Sequence, residues 1–309
     1  MINQAQSEVL GNPSSILNVG DVTSSGLEFE LGAVLVDNGD FTWNMNANLS
    51  TVDTEITDLG GLDELPQQIF GQSGRGAVFR NYVGGQIGEM WGLETIGTVE
   101  MDYIADGTRH PNNQSGESYV VDQNGDGVID RTRSVEDGGD LVKIGQNTPD
   151  FYWGMSHNLN YKEFDMSFQF QGSHGADVYN IDPLYYGSQW GGRLDRSRLD
   201  PNGDGIADHN GEYIERNRNQ TDAMIQDASY IALRNLTIGY TLDPSIIEGL
   251  GLTSVRAYLA GTNLLYIMGD DYTSYNPEGV KGTDPTIYGA QVGASPVVRS
   301  FTLGLNVNF

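Results

Sequence analysis

The last ten residues constrain the fold more than any other stretch. From Ser300 to Phe309, polar and apolar residues alternate without a break. Phe301, Leu303, Leu305, Val307 and Phe309 fall on one side, and Ser300, Thr302, Gly304, Asn306 and Asn308 on the other. A period of two means a strand whose two faces meet different media, one apolar and one polar. Such a strand, ending on an aromatic residue, fits an outer-membrane β-barrel, where the apolar face meets lipid and the polar face a wet lumen.

The same pattern recurs upstream. Leu27, Phe29, Leu31, Ala33 and Leu35 alternate with Glu28, Glu30 and Gly32. The turn signal Asp37-Asn38-Gly39-Asp40 follows, and then Phe41, Trp43, Met45, Ala47 and Leu49 alternate with Thr42, Asn44, Asn46, Asn48 and Ser50. A second hairpin joins Phe151, Trp153, Met155, Leu159 and Tyr161 to Phe164, Met166, Phe168 and Phe170 through Lys162-Glu163, with His157 on the apolar side. Two further strands run through Leu236, Ile238, Tyr240 and Leu242, and through Val255, Ala257 and Leu259, with a short helical turn starting at Pro244 between them. The polar sides carry Asn, Gln, Ser and Thr. A sandwich would put one face in bulk water, where Lys and Glu are usual, so amides and hydroxyls fit a barrel lumen better.

Seven strands are therefore expected, near 25–36, 41–52, 150–161, 164–172, 229–242, 253–264 and 299–309. Their connections alternate between short (37–40, 162–163, 243–252) and long (53–148, 173–228, 265–298). In outer-membrane barrels the long loops are extracellular and the short turns periplasmic, which puts Phe309 in the periplasm. Phe41, Tyr161, Phe164 and Tyr240 then share one level, as an aromatic girdle does. The fold class read from this is all-β, part of a transmembrane barrel in the outer membrane. Seven strands alone would leave two open edges in lipid, so further strands are expected outside this sequence.

Composition agrees. Glycine is abundant (41 of 309 residues), which suits strands and loops and weakens helices. Lys plus Arg number 16 against 42 Asp plus Glu, a net charge of −26. Nucleic-acid binding needs a basic footprint and is excluded. Cysteine is absent, so disulfides, thiolate zinc sites and thiol nucleophiles are excluded. No run of 18 apolar residues provides a membrane helix, and the first residues carry no basic or apolar leader signal. Export then requires that a leader has been removed or that this chain continues a longer one.

Two loop motifs point to calcium. Asp122, Asn124, Asp126 and Asp130 stand at positions 1, 3, 5 and 9 of a calcium loop, with Gly127 at the sharp turn and the Val128 carbonyl at position 7. Asp200, Asn202, Asp204 and Asp208 repeat the spacing around Gly205. Both lack the carboxylate at position 12, which is Arg133 or Gly211, and Asn-Gly-Asp-Gly is equally a plain turn sequence. The long connections are also rich in aromatics. Trp91, Tyr185, Tyr186, Trp190, Tyr272 and Tyr275, with Arg193 nearby, read either as loop packing or as a stacking surface for a sugar or peptide. Catalytic signatures are missing: the four histidines (His110, His157, His174, His209) have no metal spacing, and no G-x-S-x-G occurs. The chain is read as a non-enzyme.

Six stretches carry a resemblance. They are Gly26 to Gly32 (GLEFELG), Gly85 to Gly92 (GQIGEMWG), the Asp122 to Asp130 loop, Ile144 to Gly154 (IGQNTPDFYWG), Ala228 to Tyr240 (ASYIALRNLTIGY), and Gly261 to Leu265 (GTNLL) with Asn276-Pro277-Glu278. In this order they resemble the SusC/RagA-type TonB-linked outer-membrane transporters of Bacteroidetes, over about the last third of a family member. Ala232 departs from the pattern, where a basic residue is common. The resemblance implies a 22-stranded barrel, an N-terminal plug and TonB-contacting segment outside this sequence, a SusD-like surface lipoprotein partner, and import of oligosaccharides or peptides. This segment is not expected to transport by itself. The alternative is a calcium-binding extracellular adhesin or lectin-like module, which would need polar outer faces. Phe164, Met166, Phe168 and Phe170 speak against it.

Overall fold

The computed structural model describes residues 2–5, 14–17, 20–65, 68–69, 78–95, 121–130, 132–181, 220–269, 272–279, 288–291 and 293–309. Seven strands form its main sheet: β1 (Glu28–Asp37), β2 (Phe41–Ser50), β3 (Phe151–Tyr161), β4 (Phe164–His174), β5 (Tyr230–Thr241), β6 (Ser254–Met268) and β7 (Ser300–Asn308). Every neighbouring pair is antiparallel, and the spatial order is the chain order, β1 to β7. This is an up-and-down meander. No helix among the described residues is long and apolar enough to cross a membrane.

The register turns the sequence pattern into rows across the sheet. Gly32, Asn46, Ser156, Gln169, Asn235, Thr262 and Ser300 stand side by side, one from each strand. Asn235 Nδ2 donates to Gln169 Oε1 at 3.2 Å, and the Thr262 and Ser300 hydroxyls bond to each other. On the opposite face Trp43, Leu159, Met166, Ile238, Leu259 and Leu303 form an apolar row. It remains open to the surroundings: Leu303 is 82% exposed. Toward the short turns, Phe41, Tyr161, Phe164 and Tyr240 are consecutive partners, with Phe164 and Tyr240 rings 4.7 Å apart.

His157, the one polar residue in the apolar alternation of β3, is satisfied within that face. Its Nδ1 accepts from Trp43 Nε1 at 3.1 Å, and its ring stacks on Phe168 at 4.6 Å.

Departures from simple alternation are bulges. Leu35 is the extra residue between Val34 and Val36, so Val36 stands opposite Trp43. Arg234 is extra relative to β4, between Leu233 and Asn235, and on β6 both Asn263 and Leu264 stand opposite it. Facing it, Asn263 has φ +53, and pairing resumes at Leu233 with Leu265. The strand expected to end at residue 264 therefore runs to Met268, because a bulge breaks the period without ending the ladder.

At the turn end, β4 is tied to β6 across β5. Arg256 Nε donates to Asp165 Oδ1 at 2.7 Å and Nη2 to Oδ2. The pair passes over Gly239, where a Cβ would run into both side chains.

At the other end the long connections hold the hydrophobic core. The largest fully buried side chains among the described residues include Tyr179, Phe79, Met90, Leu93, Leu141 and Met224, and all lie there. A four-stranded sheet (Val142–Gln146, Glu89–Gly92, Val78–Phe79, Gln68–Ile69) and a three-stranded one (Ile225–Asp227, Asp177–Asn180, Ala290–Gln291) supply one shared cluster of Phe79, Met90, Tyr179 and Met224, joined by Ile144 and Ile225. These connections pack, and the main sheet does not. The first hairpin also continues past a kink into this layer, as Gly20–Ser25 pairs with Asp53–Leu59. Gly26 makes the kink, since a Cβ there would collide with the Thr51 carbonyl.

The two faces predict opposite tolerances. In the complete membrane protein, Phe168→Arg should lower stability by about 2–4 kcal/mol if it lies near the bilayer midplane, whereas Gln169→Arg should be mild. Denaturant unfolding in lipid vesicles measures both, and equal effects would refute the face assignment. Gly239→Ala should destabilise because it breaks the Arg256 pair. If so, Gly239→Ala combined with Asp165→Ala should be clearly less than additive.

Candidate functional site

The polar face and the layer above it form one continuous surface, because β5 and β6 carry side chains into the third long connection. Arg234, displaced by its bulge, reaches that connection. Its Nη2 pairs with Glu278 Oε2 and its Nη1 bonds the Tyr266 hydroxyl and, at 3.3 Å, Asn263 Oδ1. Tyr230 donates to Glu278 Oε1 at 2.7 Å, and Tyr266 to Oε2 at 2.8 Å. The two tyrosine rings stack 5.8 Å apart, with the guanidinium 5.1 Å from the centre of the Tyr266 ring. With its amide oxygen turned toward the guanidinium, Gln171 accepts from Arg234 Nε at 2.8 Å. Both oxygens of Glu278 are thus held, and the segment 272–279 is latched to the wall. Three stretches that carried the family resemblance, around Arg234, Asn263 and Glu278, meet at this point.

A second cation, this one buried, organises the first long connection. Arg80 forms a bidentate pair with Glu64 at 2.7 and 2.8 Å, and its guanidinium lies 4.5 Å from the Trp91 ring centre. The hydrogen bond to Glu64 raises the Arg80 pKa. Trp91 Nε1 donates to Glu89 Oε2 at 3.1 Å, and Lys143 Nζ to Glu89 Oε1 at 3.1 Å. Burial, with Glu89 nearby, pushes the Tyr82 phenol up to about 12. Tyr179 is also raised to about 12 by burial, while its hydroxyl accepts from the Gln220 N–H at 2.9 Å.

These contacts sort the aromatic candidates. Trp91 is buried beneath Arg80, and Tyr272 is buried with its hydroxyl donating to Gln291 Oε1 at 3.0 Å. Both are packed within the layer of connections. Tyr275, three residues before the latched Glu278, is 64% exposed. Tyr185, Tyr186, Trp190 and Arg193 lie outside the described residues, as do Asp200, Asn202, Asp204 and Asp208.

The loop from Asp122 to Asp130 closes on its own hydrogen bonds. Asp122 accepts from the N–H groups of Gly125 and Gly127, both at 2.8 Å, and Asp126 accepts from Val128 at 2.7 Å. Asn124 accepts from Asp126 N–H at 2.9 Å and donates to the Gly138 carbonyl at 2.8 Å. Asp140, eighteen residues beyond Asp122, accepts from Gln123 and Asp130 N–H groups at 2.8 and 2.6 Å. Asp130 itself takes bonds from Thr132 and Arg133, and its pKa falls to about 2, chiefly through Thr132. Among the described residues no group of three or more His, Cys, Asp or Glu is gathered as a metal site.

A cleft of about 610 Å³ opens where the kinked hairpin meets the first connection, lined by Ser25, Thr51, Asp53, Gln86, Gln146 and Thr148 among others. Its walls offer hydroxyls, amides and a carboxylate, which suit hydrogen bonding to a polar solute. Sequence reasoning missed Arg80, Arg234 and Glu278. Arg234 left one signal, as the residue at which the β5 alternation slips.

No family model matches the chain. Curated relatives do. TonB-dependent receptor P3 of Formosa agariphila is 31% identical over 317 residues, covering 98% of this chain and 30% of that protein. TonB-dependent receptor SusC of Bacteroides thetaiotaomicron is 25% identical, covering 96% of this chain and 27% of that protein. Among solved structures, the RagAB peptide transporter superposes with a TM-score of 0.70 at 18% identity, over 100% of this chain and 31% of that one. The chain therefore spans less than a third of the length of the relatives it matches. Aligned with these receptors along nearly its whole length, it belongs to the SusC/RagA-type family of TonB-dependent receptors.

Proposed function

We propose that this chain forms part of the wall and mouth of a TonB-dependent outer-membrane importer for oligosaccharides or peptides, working with a SusD-like surface lipoprotein. The observation that carries the reading is the two-faced sheet. An exposed apolar face, an amide- and hydroxyl-lined opposite face, and long connections gathered at one end are what a barrel wall with an elaborate mouth requires. In this reading the long connections face the cell exterior and the short turns the periplasm. The names of the relatives support the TonB coupling, and the RagAB structure supplies the peptide precedent. Energy enters through parts of the protein other than these strands. The surface near the Arg234 latch and the 610 Å³ cleft recognises substrate through hydrogen bonds and through Tyr275. The chain carries no chemistry of its own on the substrate.

Deletion of the gene should abolish energised uptake of either labelled oligosaccharides or labelled peptides, and a protonophore should stop uptake in wild-type cells. Unchanged uptake of both classes, or recovery of the protein in the soluble fraction, would refute the proposal. Point variants separate mouth from core. Tyr275→Ala should leave stability within about 0.5 kcal/mol while weakening substrate binding. Trp91→Ala should cost roughly 3–5 kcal/mol, because it empties a packed site.

A further inference from the structure

The connection between β5 and β6 does more than reverse the chain. It folds as one α-helical turn, Pro244–Ile247, continued by a 3-10 turn, Glu248–Leu250. Asp243 caps it by accepting from the Ser245 N–H at 2.8 Å, and Pro244 fills the first helical position. Gly251 ends it in the left-handed region at φ +69. Ile247 is 3% exposed and fastens the turn down, but its neighbours Ile246 and Leu250 are 63% and 72% exposed. A capped and anchored turn has no structural need to hold two aliphatic side chains in water.

Its level in the sheet gives the reason. The turn begins just beyond Tyr240, the last member of the row Phe41, Tyr161, Phe164 and Tyr240. Such aromatic rows mark the boundary between hydrocarbon and water. Lys162, in the neighbouring tight turn, lies with Nζ 5.5 Å from the Tyr161 ring centre. That is the posture of a lysine whose stem follows apolar surface while its head stays wet. The apolar face continues to the same level on β7 through Leu305 and Val307, both exposed. The exposed pair thus sits on a turn at the boundary that this apolar surface already reaches.

We infer that the β5–β6 connection is a bilayer anchor, with Ile246 and Leu250 inserted at the headgroup–acyl boundary of the phospholipid leaflet on the short-turn side. The inference rests on the reading of the main sheet as a membrane wall. A short amphipathic turn binds an interface by burying its apolar side and leaving its polar side outside. Asp243 and Glu248 hold this one at the surface and stop it from sinking into hydrocarbon.

Because the chain has no cysteine, Ile246→Cys, Leu250→Cys, Leu303→Cys and Asn158→Cys each create one labelling site in it. The complete protein, labelled with an environment-sensitive nitrobenzoxadiazole fluorophore, is reconstituted in phosphatidylethanolamine–phosphatidylglycerol vesicles. These carry lipids brominated either near the headgroup or at mid-chain. The expected result is blue-shifted emission at 246 and 250, lost with the headgroup-proximal quencher and largely retained with the mid-chain one. The label at 303 should be quenched at mid-chain, and the label at 158, on the polar face, by neither. Water-like, unquenched emission at 246 and 250 with a quenched label at 303 would overturn the anchor and leave the membrane wall standing. Unquenched emission at 303 as well would overturn the wall reading, and the anchor with it.

Discussion

The unbroken antiparallel ladder from β1 to β7 is the constraint on which the rest of the structure depends. A backbone in hydrocarbon must satisfy its amides and carbonyls internally. Here each inner strand does so with a neighbour on both sides. Because backbone pairing holds the sheet together, its side chains are released from forming a core. One face is free to be oily and the other wet. The rows of amides on one side and of aromatics and aliphatics on the other are consequences of register, since a slip of one residue would exchange them.

Packing energy is concentrated elsewhere. Tyr179, Phe79, Met90 and Met224 are buried in the connections, where short strands from distant parts of the chain share one small core. Two buried or partly buried arginines organise this layer. Arg80 joins Glu64 to Trp91, and Arg234 joins the wall to Glu278. The layer of long connections is thus built as a folded unit standing on the strands and stitched to them at defined points.

Much of the wall was legible because alternation is local. Each strand announces its two faces within ten residues, and Asn38-Gly39 and Lys162 mark the reversals. Bulges were not legible. Arg234 adds one residue relative to β4, and β6 adds a further one at Asn263 and Leu264, and neither segment alone shows that pairing resumes. The placement of the aromatics was hidden for a similar reason. Whether Trp91 or Tyr272 is packed inward depends on partners such as Arg80 and Gln291, which the local pattern does not reveal. His157 looked anomalous for the same cause, since its partner Trp43 stands 114 residues earlier. The aspartate loop was legible as a turn, but not the part played by Asp140, which supplies acceptors from outside the motif.

The Arg256–Asp165 pair has a mechanical meaning. Ladder hydrogen bonds join each strand to its neighbours, and they yield one at a time when strands slide along their length. A side-chain tie that skips a strand couples β4 to β6 directly, so β5 cannot shear past either without stretching a bidentate contact. Gly239 is the slot that lets the tie lie flat across the middle strand. Three adjacent strands therefore behave as a braced plank near the short turns, and force applied to that rim is spread over three strands instead of one.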